Sequence, residues 1–171
     1  MTEIRRLNKD DTLKYLDELS LLFSQTVEGG ASMGFMSPYP PSEAALYWAE
    51  VAEGVYRSEL VLLVALVEGR IEGSVQLALK TPPNQPHRAD LKKLMVSPAA
   101  RGRGLSRLLM SAAEAEAVRV GRNLLVLDTA TGEPAEKIYE HFGWERVGVI
   151  PRYALFPDGR YCATTLFYKS L

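Results

Sequence analysis

Leu94-Met95-Val96-Ser97-Pro98-Ala99-Ala100-Arg101-Gly102-Arg103-Gly104-Leu105-Ser106-Arg107-Leu108-Leu109-Met110 is the stretch on which the fold turns. An apolar run stops at Ser97-Pro98, a short basic glycine loop follows, and Leu105, Leu108, Leu109 and Ala112 then fall at helical spacing. That order reads as strand, turn, helix. Glycines let the main chain approach a bound anion, and a helix start offers unpaired N–H groups at the positive end of its dipole. The turn is therefore expected to bind a pyrophosphate, the handle of a nucleotide cofactor. The plain alternative is a flexible basic turn. A dinucleotide-binding loop prefers Gly-x-Gly-x-x-Gly, and the third glycine is missing here.

Working outward, 171 residues suit one domain, 1–171, and a 47% hydrophobic, 24% charged composition can bury a core. Lys and Arg number 20 against 21 Asp and Glu, so no strongly basic face is expected and nucleic acid is not an expected partner. Cys162 is the only cysteine, which excludes an internal disulfide and favours a reducing compartment. The longest apolar run, Leu60 to Val67, is far short of the roughly 20 residues of a membrane helix. No secretory signal is read at the N-terminus. A cytoplasmic protein, with no membrane partner, is expected.

The flanking pattern completes a mixed fold. Glu3 to Leu7 reads as a strand. Asp10 or Asp11 is expected to cap a helix carrying Leu13, Leu16, Leu19 and Phe23. Val27 to Pro41 is a Gly-, Ser- and Pro-containing loop, and Ser42 is expected to cap a helix through Trp48 and Val51. Leu60 to Val67 and Ile71 to Leu79 form a hairpin about Glu68-Gly69. Within Asp90 to Val96, Leu91 and the pair Leu94 and Val96 differ in parity across Lys92-Lys93. A β-bulge or a strand buried on both faces would each explain it. The helix from Arg103 stops at Gly121, and Leu124 to Leu127 reads as a strand covered on both faces. Glu133-Pro134 opens a helix with the stripe Ala135, Ile138, Tyr139 and Phe142. Two last strands, Trp144 to Ile150 and Tyr161 to Tyr168, flank the turn Pro157-Asp158-Gly159. Seven strands and four helices in this order predict an α/β or α+β domain with a mixed sheet.

Leu94 to Met110, Leu124 to Thr129 and Ala135-Glu136-Lys137-Ile138-Tyr139-Glu140-His141-Phe142-Gly143-Trp144 together resemble the GNAT superfamily of acyl-CoA-dependent N-acyltransferases. Arg101-Gly102-Arg103-Gly104 resembles its pyrophosphate loop, and Ala-x-x-Ile-Tyr-x-x-x-Gly-Trp its later signature. The resemblance implies a mostly antiparallel mixed sheet flanked by about four helices, with a splayed parallel strand pair holding acyl-CoA. It implies acetyl-CoA as donor, no metal, and a monomer or homodimer. A closer likeness within the superfamily, carried by Thr26 to Met36, Lys93 to Val96, Ala100 to Leu105, Leu127 to Thr129 and Arg146 to Gly148, implies an amino acid-like toxin or antibiotic of the tabtoxinine-β-lactam type as one acceptor. Ser106, where the family has Gly or Ala, and Gly132, where many members have an asparagine, depart from the pattern.

The family reaction is direct attack of an amine on an acetyl thioester. It needs a base to free the amine, donors for the developing oxyanion, and an acid for the departing thiolate. The cofactor-binding candidates are Arg101, Gly102, Arg103, Gly104, Leu105 and Ser106 in the turn and Leu94, Met95 and Val96 in the strand. The resemblance assigns the acid to Tyr139, whose periodicity alone suggests core packing. Asp90 and Asp128 are the candidate bases. Asp128 ends a strand where open α/β sheets place ligands, and burial is expected to raise its pKa. Each also reads as a strand-end cap or surface charge. Gly30, Ser32, Phe35 and Met36, in the Glu28 to Met36 loop, are expected to wall the acceptor side, although an ordinary connection has the same composition. A non-catalytic acyl-CoA-binding regulatory module and a protein or peptide N-acetyltransferase are the competing functions.

Overall fold

The computed structural model describes residues 1–171. The elements are β1 (Thr2–Leu7), α1 (Lys9–Lys14), α2 (Leu16–Glu28), α3 (Pro41–Tyr56), β2 (Leu60–Val67), β3 (Arg70–Ala78), β4 (Arg88–Val96), α4 (Leu105–Arg119), β5 (Leu124–Ala130), α5 (Pro134–His141), β6 (Glu145–Leu155) and β7 (Tyr161–Ser170). The strands form one sheet in the order β1-β2-β3-β4-β5-β7-β6. Every neighbouring pair is antiparallel except β4 and β5. This is the mixed α/β sheet that the sequence predicts.

The helices number five, not four, because Tyr15, at φ −94° and ψ 17°, leaves the helical region and divides the first predicted helix. Two expected caps are corrected. Asn8, not Asp10 or Asp11, caps α1, its side chain accepting from the Asp11 N–H at 2.8 Å. Helix α3 starts with Pro41 after an extended Pro40, so Ser42 lies inside it. The β2–β3 hairpin turns where expected, through Glu68 (φ 52°) and Gly69 (φ 82°), the twin positive angles of a tight hairpin turn.

Cores lie on both sides of the sheet. On one, Leu105, Leu109, Met110 and Ala113 of α4 and Tyr139 of α5 pack on Leu63, Leu77, Leu91, Leu127 and Phe167. On the other, Leu19, Leu22 and Phe23 of α2 and Trp48 and Val51 of α3 pack on Leu62, Val64, Leu66 and Met95. Alternate residues of β2 therefore enter opposite cores, which explains its unbroken apolar run. Strand β5 is less enclosed than its run suggests: Leu125 and Leu127 are buried, while Leu124 and Val126 are half-buried. The helices on the Val126 side pack on β2, β3 and β4.

The odd parity in β4 is a bulge. Ser74 pairs with Met95 and Gln76 with Lys92, so two steps on β3 match three on β4. Lys93 takes up the extra residue with φ 56°. Ala89 and Leu91 thus face the α4 core, Met95 faces the opposite core, and Leu94 and Val96 pack back toward α4. Strands β4 and β5 pair only at Arg88–Leu124, Ala89–Leu125 and Asp90–Val126. Beyond those pairs the two strands part, leaving a gap in mid-sheet.

Gly73 sits where β3 meets the bulged end of β4 beneath α4. A Cβ there would lie 2.9 Å from the Met95 carbonyl oxygen and 3.1 Å from Leu109 Cδ1. Gly73→Ala is expected to cost roughly 1–3 kcal/mol, since the nearest obstacle is main chain and overpacking carries a cost of that order. Gly148→Ala, with nothing within 4 Å of the added atom, is expected to stay within about 0.5 kcal/mol of the parent. Urea midpoints of the two variants check the contrast.

Candidate active site

The turn ahead of α4 has the main-chain geometry for an anion. Gly102 and Gly104 both adopt φ 76°, a left-handed conformation that side-chain-bearing residues rarely take. Gly104 is the residue from which α4 departs. None of the main-chain N–H groups from Arg101 through Arg107 donates to a protein acceptor. Arg101 to Gly104 are exposed and Ser106, at the second helical position, is half-buried. A diphosphate fits this array of free donors at a helix N-terminus, where hydrogen bonds to a charged acceptor contribute about 1.5–3 kcal/mol each. Leu94, Met95 and Val96 lead from the gap to the turn, and past Asp90 the β5-facing edge of β4 has no strand partner.

Asp128 stands on β5 two residues past the last β4–β5 pair. Its carboxylate accepts from the Thr164 hydroxyl of β7 at 2.9 Å. The residue is exposed, so the burial expected from its apolar neighbours is corrected: Leu125 and Leu127 turn into the core, and Asp128 lies on the other, less enclosed face of β5. Asp90, level with Val126, accepts a hydrogen bond and ion pair from Arg88. The two carboxylates are therefore set differently, one bound by an arginine and the other held only by a hydroxyl.

Tyr139 is buried on the α4 side, its ring 6.0 Å from that of Trp144 and 5.8 Å from that of Phe167. Burial pushes its phenol well above the usual range, and the charge of Asp128 adds to the shift. Core packing and a place near the gap are thus compatible. Gly132, flagged as a departure, gives its N–H to Glu136 at 2.6 Å, and Glu136 also accepts from Thr165 at 2.7 Å.

On the opposite face, the Glu28 to Met36 loop and the residues after it are tied down. Glu28 accepts from the Ser37 hydroxyl and the Tyr39 N–H, and Ser32 donates to the Leu155 carbonyl at 3.2 Å. Phe35 stacks on Tyr39 at 4.6 Å and meets Phe23 and Tyr47 edge-on at 5.4 and 5.7 Å. Gly30 turns with φ 99°, and Met36 is exposed. Ser32 and Phe35 are thus held in place, as an ordered connection and an acceptor-side wall both require.

Lys93 of β4, which contacts this loop, is a residue that the sequence pattern does not single out as a site. Its ammonium donates to the Met33 carbonyl and lies 5.6 Å from the Phe23 ring and 5.9 Å from the rings of Phe35 and Tyr47. Burial, and then the neighbouring Lys92 charge, push its pKa down to about 8, against the opposing pull of Asp128. The parity slip around Lys92-Lys93 is the sequence signal that marks the spot. The charge of Asp128 acts on both Lys93 and Tyr139, whereas Asp90 pairs with Arg88.

Comparison with known proteins bears on the family and the fold. A model of the acetyltransferase (GNAT) family matches residues 29–144. An uncharacterized N-acetyltransferase from the hisH-hisA intergenic region of Azospirillum brasilense is 34% identical over 132 residues, covering 75% of this chain and 76% of that protein. Among solved structures, an N-acetyltransferase from Staphylococcus aureus Mu50 superposes with a TM-score of 0.81 at 18% identity, over 99% of this chain and 98% of that one. A Salmonella typhimurium structure, described with its cofactor acetyl-CoA, gives a TM-score of 0.81 at 18% identity, over 100% and 94%. A ribosomal-protein-alanine N-acetyltransferase from Brucella melitensis gives 0.78 at 21% identity, over 99% of each chain. At these identities the structural likeness speaks for the fold.

The Lys93 environment predicts a signature in stability. Between about pH 8 and 10.5 the unfolded chain carries a proton on Lys93 that the folded chain has released. Stability contributed by this group therefore rises with pH across that window. Burial raises the pKa values of Tyr39 and Tyr47 to about 12, and their contribution falls with pH only above the ordinary tyrosine value of 10.0. Urea midpoints from pH 7.5 to 10 are expected to rise less in Lys93→Met than in the parent.

Proposed function

The chain belongs to the GNAT acetyltransferase family, and on that premise we propose that it transfers the acetyl group of acetyl-CoA to the amino group of a small molecule by direct attack on the thioester. The observation that supports this reading is the row of free amides from Arg101 to Arg107 at the start of α4, preceded in the chain by an edge of β4 that has no β5 partner past Asp90. We take residues 1–171 as one catalytic domain.

Acetyl-CoA would supply the activated acetyl group. The backbone of Arg101, Gly102, Arg103, Gly104, Leu105 and Ser106 would grip its diphosphate, and Leu94, Met95 and Val96 would pair with the amides of its pantetheine arm. Asp128 would draw the acceptor's ammonium to the gap and take its proton, directly or through water, because only the free amine is a nucleophile. Its exposure favours capture of a cation. Asp90, paired with Arg88, would be the second candidate base, acting through water. The Tyr139 hydroxyl, kept protonated by burial, would give its proton to the departing thiolate. Gly30, Ser32, Phe35 and Met36 would bound the acceptor.

The finer assignment rests on resemblance. The segments from Thr26 to Met36, Lys93 to Val96 and Leu127 to Thr129 are similar to the tabtoxin resistance protein, and we propose an amino acid-like toxin or antibiotic as acceptor. A role in toxin resistance would follow. No helix is long and apolar enough to cross a membrane, and we place the protein in the cytoplasm.

A panel of amines scored by release of free CoA thiol tests the proposal. Acetylation of at least one small amine is expected; acetyl-CoA binding with no acetylation of any amine would favour the regulatory module. Tyr139→Phe is expected to lower kcat roughly a hundredfold, as for loss of a general acid, with acetyl-CoA affinity retained. Asp128→Asn is expected to lower kcat/KM by a similar factor, again with acetyl-CoA affinity retained. Stopped-assay kinetics and calorimetry separate the two quantities.

A further inference from the structure

Lys93 is a half-buried cation that the acetyl transfer described above leaves unused. A lysine ammonium has three donors, and here the Met33 carbonyl takes one. The faces of Phe23, Phe35 and Tyr47 surround the charge at 5.6 to 5.9 Å. Such faces attract a cation without consuming its N–H groups. No carboxylate forms a salt bridge with it; the lysines that do are Lys9, Lys80 and Lys169. The nearby cation Lys92 repels it, and Asp128 attracts it from a distance. A partly desolvated charge in this setting is stabilised by an anionic partner that brings its own hydrogen-bond acceptors.

We propose that Lys93 receives an anionic group of the acceptor, so that the site selects amines that also carry a carboxylate or a comparable anion. This rests on the acetyl-transfer reading and narrows its acceptor class. Lys93 on β4 and Asp128 on β5 place opposite charges on the two strands that part at the gap. A zwitterion spans such a pair in one orientation, with its ammonium at Asp128 and its anion at Lys93. That orientation brings the amine to Asp128, whose charge reaches the buried Tyr139 phenol. A polyamine would set a second ammonium against Lys93, and a neutral amino sugar would leave the lysine without its partner. The local structure suits this role, because the bulge and the Met33 contact hold the ammonium in place before the acceptor arrives.

The test uses the whole chain, acetyl-CoA and matched acceptors: amino acids, the corresponding carboxamides with the same amine, spermidine and glucosamine. The carboxylate member of a pair is expected to exceed its carboxamide by roughly tenfold or more in kcat/KM, the scale of one charge-assisted hydrogen bond. Lys93→Gln is expected to bring that ratio close to one, and Lys93→Arg to keep part of it. Equal turnover of carboxylates and carboxamides, a preference for spermidine, or a Lys93→Gln variant that slows both members alike would overturn the proposal. The last result would make Lys93 only a tie for the loop.

An inert parent enzyme would count against acetyl transfer, and a binding experiment then decides the role of Lys93 separately. Calorimetry on the CoA-loaded protein would compare N-acetyl amino acids with N-acetyl amino acid amides. Tighter binding of the carboxylates that disappears in Lys93→Gln supports the proposal, and equal affinities overturn it.

Discussion

Two neighbouring strands that stop pairing in the middle of a sheet leave main-chain donors and acceptors without partners, and the site is arranged around that deficit. Strands β4 and β5 pair through Asp90 and Val126 and then diverge. An unmet buried hydrogen-bonding group costs about 1–3 kcal/mol, so such a gap needs water or a ligand along its edges. Its neighbours hold it open. The bulge at Lys93 turns the end of β4, and Gly73 lets that turned end approach β3 and α4 without a side chain between them. Antiparallel pairing of β5 with β7 keeps Asp128 fixed on the far rim.

The gap also divides the chemistry between two faces. Tyr139 belongs to the core under α4, while the rings around Lys93 belong to the core under α2 and α3. Asp128 influences groups on both sides. Under the proposed reading, an opening through the sheet would let a donor held on one face meet an acceptor held on the other, with Asp128 on the rim. Burial then sorts their chemistry: it keeps the Tyr139 phenol protonated and lowers the Lys93 pKa, while Asp128 remains open to the cleft. The turn before α4 needs none of these side chains. Its free amides and two left-handed glycines are main-chain features, which is why a short glycine pattern reveals it.

Most of the fold is legible in the sequence because period and punctuation are local signals. The hairpin at Glu68-Gly69, the run Leu60 to Val67 and the helix after Gly104 follow from them. The break at Tyr15 and the Asn8 cap are less legible, since several polar residues in a row could cap and one backbone angle decides the break. Asp128 shows the limit of reading burial from neighbours: four apolar residues precede it, yet alternation turns it outward. Lys93 is visible as an interruption of parity. That its ammonium enters an aromatic surround depends on Phe23 and Tyr47, which come from helices distant in sequence.

Amide hydrogen exchange with and without CoA tests the central claim most directly. Free amides in the turn before α4 exchange rapidly when they contact only water. Bound CoA is expected to slow exchange from Gly102 to Arg107 and along residues 91–96, with little change in β6. Binding that leaves the turn unprotected, or no binding at all, would contradict the account of the gap and its glycine turn as the holder of the cofactor.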